Sequence, residues 1–430
     1  MAVMIKKAVF AGFAIVCAIS LSIPFVLASR QDPPSANYDE SKVGTYSLPD
    51  PLVFADGKPV KSARDWPRRR TELLKLFEEN MFGARPAPPG KIVYNVFDTD
   101  RNALGGKAIR KQIDIYFSDN KSGPKETVLL YIPVSATKPV PVILTLSFSV
   151  NQASANDPAI RAGAMWNSRT KEKQEPPPEL RGRGHAETER VLAQGYAYAT
   201  VCYTDIEPDF NGAYPHGIRP LFVKLGQDGP APGEWGAIGA WSYGMSRVLD
   251  YLEKDSDVNA RKVALLGHSR LGKTALWTGA QDPRFAMILS SCSGEGGASL
   301  QRRNYGETLR DLIARFPYWF CKNYEKFKDQ WDKLPVDAHE LIALNAPRPV
   351  YITGAEDDKW ADPKGEFLAC VAAGPVYKLL GASDLGTSEM PGLNQPIMKT
   401  LAFHYRTGKH AVTDYDWEQF LKFADMHLKK

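Results

Sequence analysis

The segment KVALLGHSRLGKTALWTGA, residues 262–280, places a serine where the residue pattern turns from strand to helix. A serine on so sharp a turn projects its hydroxyl above a sheet, with glycines relieving the crowding around it. Gly267 and Gly272 flank Ser269, and Leu271 stands where the commoner GxSxG pattern has its second glycine. The backbone N–H of Arg270 then points to where an oxyanion would form, beside a helix N-terminus. The chemistry this predicts is acyl transfer through an activated serine. The alternative, a helix-capping serine in a structural turn, is disfavoured by the strand–turn–helix context.

A serine nucleophile needs a base, and the base an orienting acid, in the chain order Ser, acid, His for this kind of elbow. Of seven histidines, His404, His410 and His427 follow the plausible acids. His404 lies inside the strand-like TLAFHY and His427 near the end of the last helix. His410 lies in a loop between them, where an imidazole can swing over the sheet edge, and it is the expected base. For the acid, Glu356, Asp357 and Asp358 directly follow a strand-like run, whereas Glu295 follows another. His268, adjacent to the nucleophile, is read as a buttress of the elbow whose side chain points away from Ser269.

These residues require a particular set of supporting elements. Helical spacing marks residues 66–81, and strand-like runs follow at 91–97, 108–117, 126–133 and 140–148. Residues 150–184, rich in Pro, Gly, Arg and Lys, read as a long functional loop. From 186 onward helices and strands alternate: helices at 186–193, 239–254, 271–281, 363–373 and 416–428, strands at 196–203, 262–266, 286–291, 349–353 and 400–405. That rhythm predicts an α/β domain with a mostly parallel sheet, an antiparallel start and helices on both faces. Residues 60–430 are read as the catalytic domain and 29–59 as an extended lead-in.

The chain has 430 residues, 43% hydrophobic and 24% charged, with a net charge of +5. No basic stripe supports nucleic-acid binding, and the run Arg68-Arg69-Arg70 is read as a solvated helix face. Lys6 and Lys7, an apolar run over 8–27 and Ala28-Ser29 have the form of a secretory signal peptide cut after Ala28. The expectation is a protein exported to the periplasm or beyond, with no membrane segment after cleavage, and a monomer. Cys202, Cys292, Cys321 and Cys370 show no metal-ligand spacing, so no metal site is expected, and their pairing stays open.

Four blocks in order, GHSRLGK, SGEGGASLQRRNYGE, EDDKWADPKGEF and HYRTGKHAVTDYDWEQFLKFAD, together resemble the bacterial glucuronoyl esterases, carbohydrate esterase family 15. The resemblance spans roughly residues 60–430 and implies a single-domain α/β-hydrolase fold without cofactor or metal. It implies that Ser269 is the nucleophile, Arg270 an oxyanion stabiliser and His410 the base. Family members carry the acid at one of two positions. The first is Cys292 here and cannot serve; the second is Asp358, two before Trp360, which becomes the expected acid, with Glu295 a weaker candidate. Substrate contacts are implied for Lys273, Glu307 and Trp360. The implied substrates are lignin–carbohydrate esters of glucuronoxylan. An acetyl-xylan esterase, an exported peptidase and a non-catalytic carbohydrate-binding protein are the rival readings.

Overall fold

The computed structural model describes residues 36–87, 90–137, 139–223, 227 and 229–429, and residues 37–430 form one compact unit. The expected signal peptide lies outside the described residues. The apolar runs become strands β1 (Val93–Asn102), β2 (Ala108–Tyr116), β3 (Lys125–Pro133) and β4 (Val140–Ser147). There follow the short β5 (Met165–Asn167) and β6 (Glu172–Gln174), then β7 (Ala197–Cys202), β8 (Val258–His268), β9 (Met287–Ser291), β10 (Val350–Ala355) and β11 (Leu401–Arg406).

Among the described residues, nine strands make one sheet in the order β1-β2-β3-β7-β4-β8-β9-β10-β11. β1, β2 and β3 pair antiparallel, β3 joins β7 antiparallel, and β7 onward is parallel. Val263 and Leu265 of β8 enter one apolar cluster, and Ala264 and Leu266 the other. A strand that is apolar on both sides must be covered on both sides. The longer helices among the described residues are α1 (Trp66–Phe77), α2 (His185–Ala193), α3 (Ala237–Leu252), α4 (Arg270–Gln281), α5 (Leu309–Arg315), α6 (Ala338–Ala343), α7 (Pro363–Leu379) and α8 (Asp414–Leu428). α2 and α8 supply Val191, Trp417, Phe420 and Phe423 to one face, whereas α3, α4 and α7 cover the other. The α/β-hydrolase architecture expected from the sequence is the one observed.

Several expectations need correction. The Arg68–Arg70 run is not a solvated face. Arg69 is buried and pairs with Glu340 at 3.4 Å, and Arg70 donates to the carbonyls of Leu344 and Ala280. Two of the three guanidinium groups therefore clamp α1 to the α4 and α6 ends, and only Arg68 faces solvent, over the Phe54 ring. The 150–184 loop contains the β5–β6 hairpin, closed by Lys171 at φ 58°. α7 continues past 373 through Pro375, because Val376 and Tyr377 are buried and hold the last turn despite the missing N–H. The described part of the lead-in is docked on the unit: His339 Nε2 meets the Pro49 carbonyl at 2.8 Å, and Glu40 reaches Arg303 and Lys364. Cys202, Cys292, Cys321 and Cys370 are all free and buried.

Candidate active site

β8 runs into α4 through Ser269, whose backbone sits at φ 57°, ψ −128°. A non-glycine residue holds such angles only where its surroundings fix them. Here the Ser269 N–H donates to the Ser291 carbonyl at 2.8 Å, and the N–H groups of Gly272 and Lys273 return to the Ser269 carbonyl. A Cβ on Gly267 would lie 1.9 Å from the Leu271 carbonyl oxygen, and one on Gly272 3.0 Å from Ser290 Oγ. The closest approach thus falls on Gly267, with a milder one at Gly272, and Leu271, fully buried, fills the place of the usual second glycine with core contacts.

β10 and β11 end side by side and carry the next two groups. The Asp358 carboxylate accepts from His410 Nδ1 at 2.6 Å, with Asp358 buried and the His410 side chain 34% exposed. The loops bearing them are joined through the backbone: Glu356 N–H donates to the Arg406 carbonyl and Asp357 N–H to that of Gly408. Glu356 and Asp357 themselves are exposed. Glu295 does not reach His410. It is buried beside Lys273, Glu307 and Asp337, and burial with the nearby acids pushes its carboxyl well above the usual range. His404 is a packed strand residue, bonded to Tyr351 and Asp416 at 2.9 Å each, and His427 lies at the surface against the Lys399 carbonyl.

His268 does more than buttress the turn. Its ring lies 4.5 Å from that of His410, and its Nδ1 meets Ser291 Oγ at 3.2 Å. Burial, with His410 alongside, pushes its imidazole well below the usual range. Cys292 occupies the vacant acid position at φ 45°, and its Sγ, an Asp358 oxygen and a His410 nitrogen all lie within 4.8 Å of one another.

Arg270 is held from the far side. Its guanidinium hydrogen-bonds Asp209 and lies 4.9 Å over Trp319 and 5.3 Å over Phe148. Asp209 also accepts from Trp319 Nε1 at 2.7 Å, Tyr318 at 2.9 Å and Tyr203 at 3.1 Å. Burial opposes the charge on Asp209, but Arg270 and these donors outweigh it and hold the carboxyl below its usual range. Among the described residues, the buried Arg270 Nε–H has no hydrogen-bond partner and remains a spare donor.

Lys273 is buried, donates to the Ser293 carbonyl, and faces Glu307 and Glu295; burial lowers its ammonium below the usual range against their pull. Glu307 is buried too, and its N–H donates to the Trp360 carbonyl at 2.8 Å. Trp360 is half-buried with the Arg315 guanidinium 4.8 Å over its ring, which makes it a partly open face and not a core aromatic. Two further buried carboxyls escape sequence reasoning: Asp209, and Glu366 on α7, which accepts from the Gly294 N–H. Asp209 lies outside the four quoted blocks and Glu366 inside the third, and only the packing of distant segments brings them here.

This geometry was compared with known proteins. A family model described as glucuronyl esterase, fungi, matches residues 224–381. Carbohydrate esterase MZ0003, from an unknown prokaryotic organism, is 45% identical over 404 residues, covering 92% of this chain and 93% of its own. A solved glucuronoyl esterase from Solibacter usitatus is 50% identical at a TM-score of 0.87, covering 90% of this chain and all of its own. A structure described as a promiscuous CE15 esterase from a marine bacterial metagenome is 44% identical at a TM-score of 0.84, over 91% of this chain and all of its own. Identity this high along nearly the whole length, on the same fold, leaves one assignment: the chain is a carboxylic ester hydrolase and belongs to the bacterial glucuronoyl esterases, carbohydrate esterase family 15.

Proposed function

We propose that the chain is an exported serine esterase that cleaves the ester between (4-O-methyl-)glucuronic acid of glucuronoxylan and lignin alcohols. The observation that carries this reading is the 2.6 Å hydrogen bond from His410 Nδ1 to Asp358, on the loops beside the Ser269 elbow. Asp358 fixes the tautomer that leaves His410 Nε2 free to accept a proton. Ser269 Oγ attacks the uronoyl carbonyl carbon as its proton passes to Nε2. The oxyanion is stabilised by the Arg270 N–H and by its guanidinium, whose position Asp209 fixes. Collapse expels the alcohol, which takes the proton from His410, and water then releases the glucuronoyl group by the same steps.

The ester carboxyl is neutral, so recognition falls on the ring hydroxyls. Lys273 and Glu307, both buried, offer a cation and a carboxylate for them, and Trp360 an aromatic face. Sites built to hydrogen-bond hydroxyls reject substrates lacking them. Along the same sheet edge, past the end of β7, a cavity of about 310 Å³ is lined by Lys125, Asn151, Arg161, Lys173 and Asp205. It gives loop 150–184 a polar wall for the polymer flanking the scissile ester. Export follows from the signal-like residues 1–28.

An acetyl-xylan esterase is the second reading, favoured by the description of the 44%-identical metagenomic relative as promiscuous. Hydrolysis of benzyl glucuronate measured against an acetylated xyloside separates the two. The expected result is preference for the uronate, with Ser269→Ala and Asp358→Asn each lowering kcat by about 10⁴-fold. An acetyl-only activity would overturn the substrate, and a near-normal Asp358→Asn the acid.

A further inference from the structure

We infer that Cys292, Asp358 and His410 form a chelating site for a thiophilic divalent cation of the zinc class, and that its occupancy switches the esterase off. The thiol sulfur, a carboxylate oxygen and an imidazole nitrogen converge within 4.8 Å of one another. Three such ligands around zinc, at about 2.0–2.3 Å each, stand some 3.4–3.6 Å apart in tetrahedral geometry, with a water completing the set. The side chains therefore need to move by no more than about 1 Å, chiefly to open the 2.6 Å contact between His410 and Asp358. One sulfur, one nitrogen and one oxygen select zinc, cobalt or cadmium over magnesium or calcium, which want oxygen alone.

The backbone presents these ligands from three strand ends. Cys292 follows β9, and its N–H is pinned to the Thr353 carbonyl at 2.8 Å; Asp358 follows β10 and His410 follows β11. Cys292 and Asp358 are buried and fixed, whereas the imidazole is one-third exposed and gives the ion its way in from solvent. As the ion binds, the thiol proton leaves to solvent, the Nδ1 proton of His410 leaves and the neutral ring carries its proton on Nε2, and metal–sulfur, metal–nitrogen and metal–oxygen bonds form; no electron is transferred. A glutamate at position 292 would offer oxygen only, so it is the cysteine in the vacant acid position that makes the site thiophilic.

Binding of the ion does not depend on the catalytic roles proposed above; its effect on rate does. Two readouts keep them apart. Cobalt(II) added to the full-length enzyme is expected to give a near-ultraviolet thiolate-to-cobalt charge-transfer band, and Zn²⁺ to inhibit ester hydrolysis at micromolar concentration, reversed by EDTA. Cys292→Ser and, as a second variant, Cys292→Ala are each scored against their own metal-free rate. Both should lose the band and need at least about tenfold more Zn²⁺, since even removing partners behind a metal ligand costs that much. Absence of the band, or equal Zn²⁺ sensitivity in both variants and wild type, would overturn the site. A band that vanishes in the variants without any inhibition would support the site and overturn instead the catalytic assignment of Asp358 and His410.

Discussion

At the scale of single residues, the arrangement around Arg270 shows how a charge is kept ready in a dry place. Its partner Asp209 is buried and accepts from an arginine, two tyrosines and a tryptophan, so that the guanidinium is aimed before any substrate arrives. Preorganised donors of this kind act without reorganisation during the reaction. Asp209→Asn keeps the volume but turns one acceptor into a donor facing Arg270. A drop in kcat of about 10–10²-fold with little change in KM is expected, the size of losing one oxyanion donor or less. Thermal or urea unfolding should show a loss of about 3–5 kcal/mol, the usual cost of stranding a buried charge. The pH dependence has a definite sign. Asp209 titrates below its unfolded value, so its contribution is present above the unfolded carboxylate range and fades as pH falls through the folded one. The acid limb of the stability profile should therefore be shallower in Asp209→Asn.

At the scale of elements, His410, the proposed base, is placed by a loop and the loop by one buried arginine. Arg406, at the end of β11, donates to Asp416 at 2.7 Å, to the carbonyls of Thr407 and Lys409 at 3.0 and 3.1 Å, and to that of Ala411. Asp416 completes a capping box with Thr413 at the start of α8. His410 thus hangs from a loop tied at both ends to a strand and a helix. Arg406→Lys retains the charge but cannot reach four acceptors in a plane. The expected result is a tenfold or larger fall in kcat at nearly constant KM, about 1.4 kcal/mol or more of lost positioning. An unchanged kcat would show that the Asp358 contact alone places the imidazole. This clasp also marks the limit of what the chain discloses on its own. Strand–helix alternation from 186 onward is legible because both-face burial writes apolar runs into the sequence, and Ser269 because a sharp turn demands its neighbouring glycines. The short helices α5 and α6 were missed, although Thr308 with Asp311 and Asp337 with Glu340 spell capping boxes that could have announced them. The roles of Asp209 and Glu366 have no local signature, since Arg270, Tyr318 and Trp319 on the one and the Gly294 N–H on the other come from segments far away in sequence, and the Arg406 clasp, although its acceptors are near neighbours, depends on a loop conformation that no residue pattern spells.

At the scale of the whole molecule, the segment before the first strand completes a wall of the site. Asn37 donates to the Asn304 carbonyl at 2.5 Å and accepts on its own carbonyl from Gly306, Tyr38 meets Tyr305 edge-on at 5.9 Å, and Glu40 pairs with Arg303 and Lys364. Residues 303–306 lead directly into Glu307, whose N–H is held by Trp360. The groups proposed to react stand elsewhere, on the ends of β8, β10 and β11. Loosening this segment should therefore weaken sugar recognition before it disturbs chemistry. The Glu40 pairs are part-exposed and individually worth at most about 1 kcal/mol. A chain beginning at Val43 should then lose only about 1–2 kcal/mol of stability, since Arg303 keeps its buried pair with Asp362. Its KM for a glucuronate ester should rise several-fold while kcat stays within about twofold, the signature of lost binding common to substrate and transition state. Steady-state kinetics on that chain beside Glu40→Ala would show whether the backbone strap or the ion pair does the bracing. A parallel fall in kcat would mean instead that the strap holds the elbow itself, and the division between a recognising wall and a reacting edge would have to be redrawn.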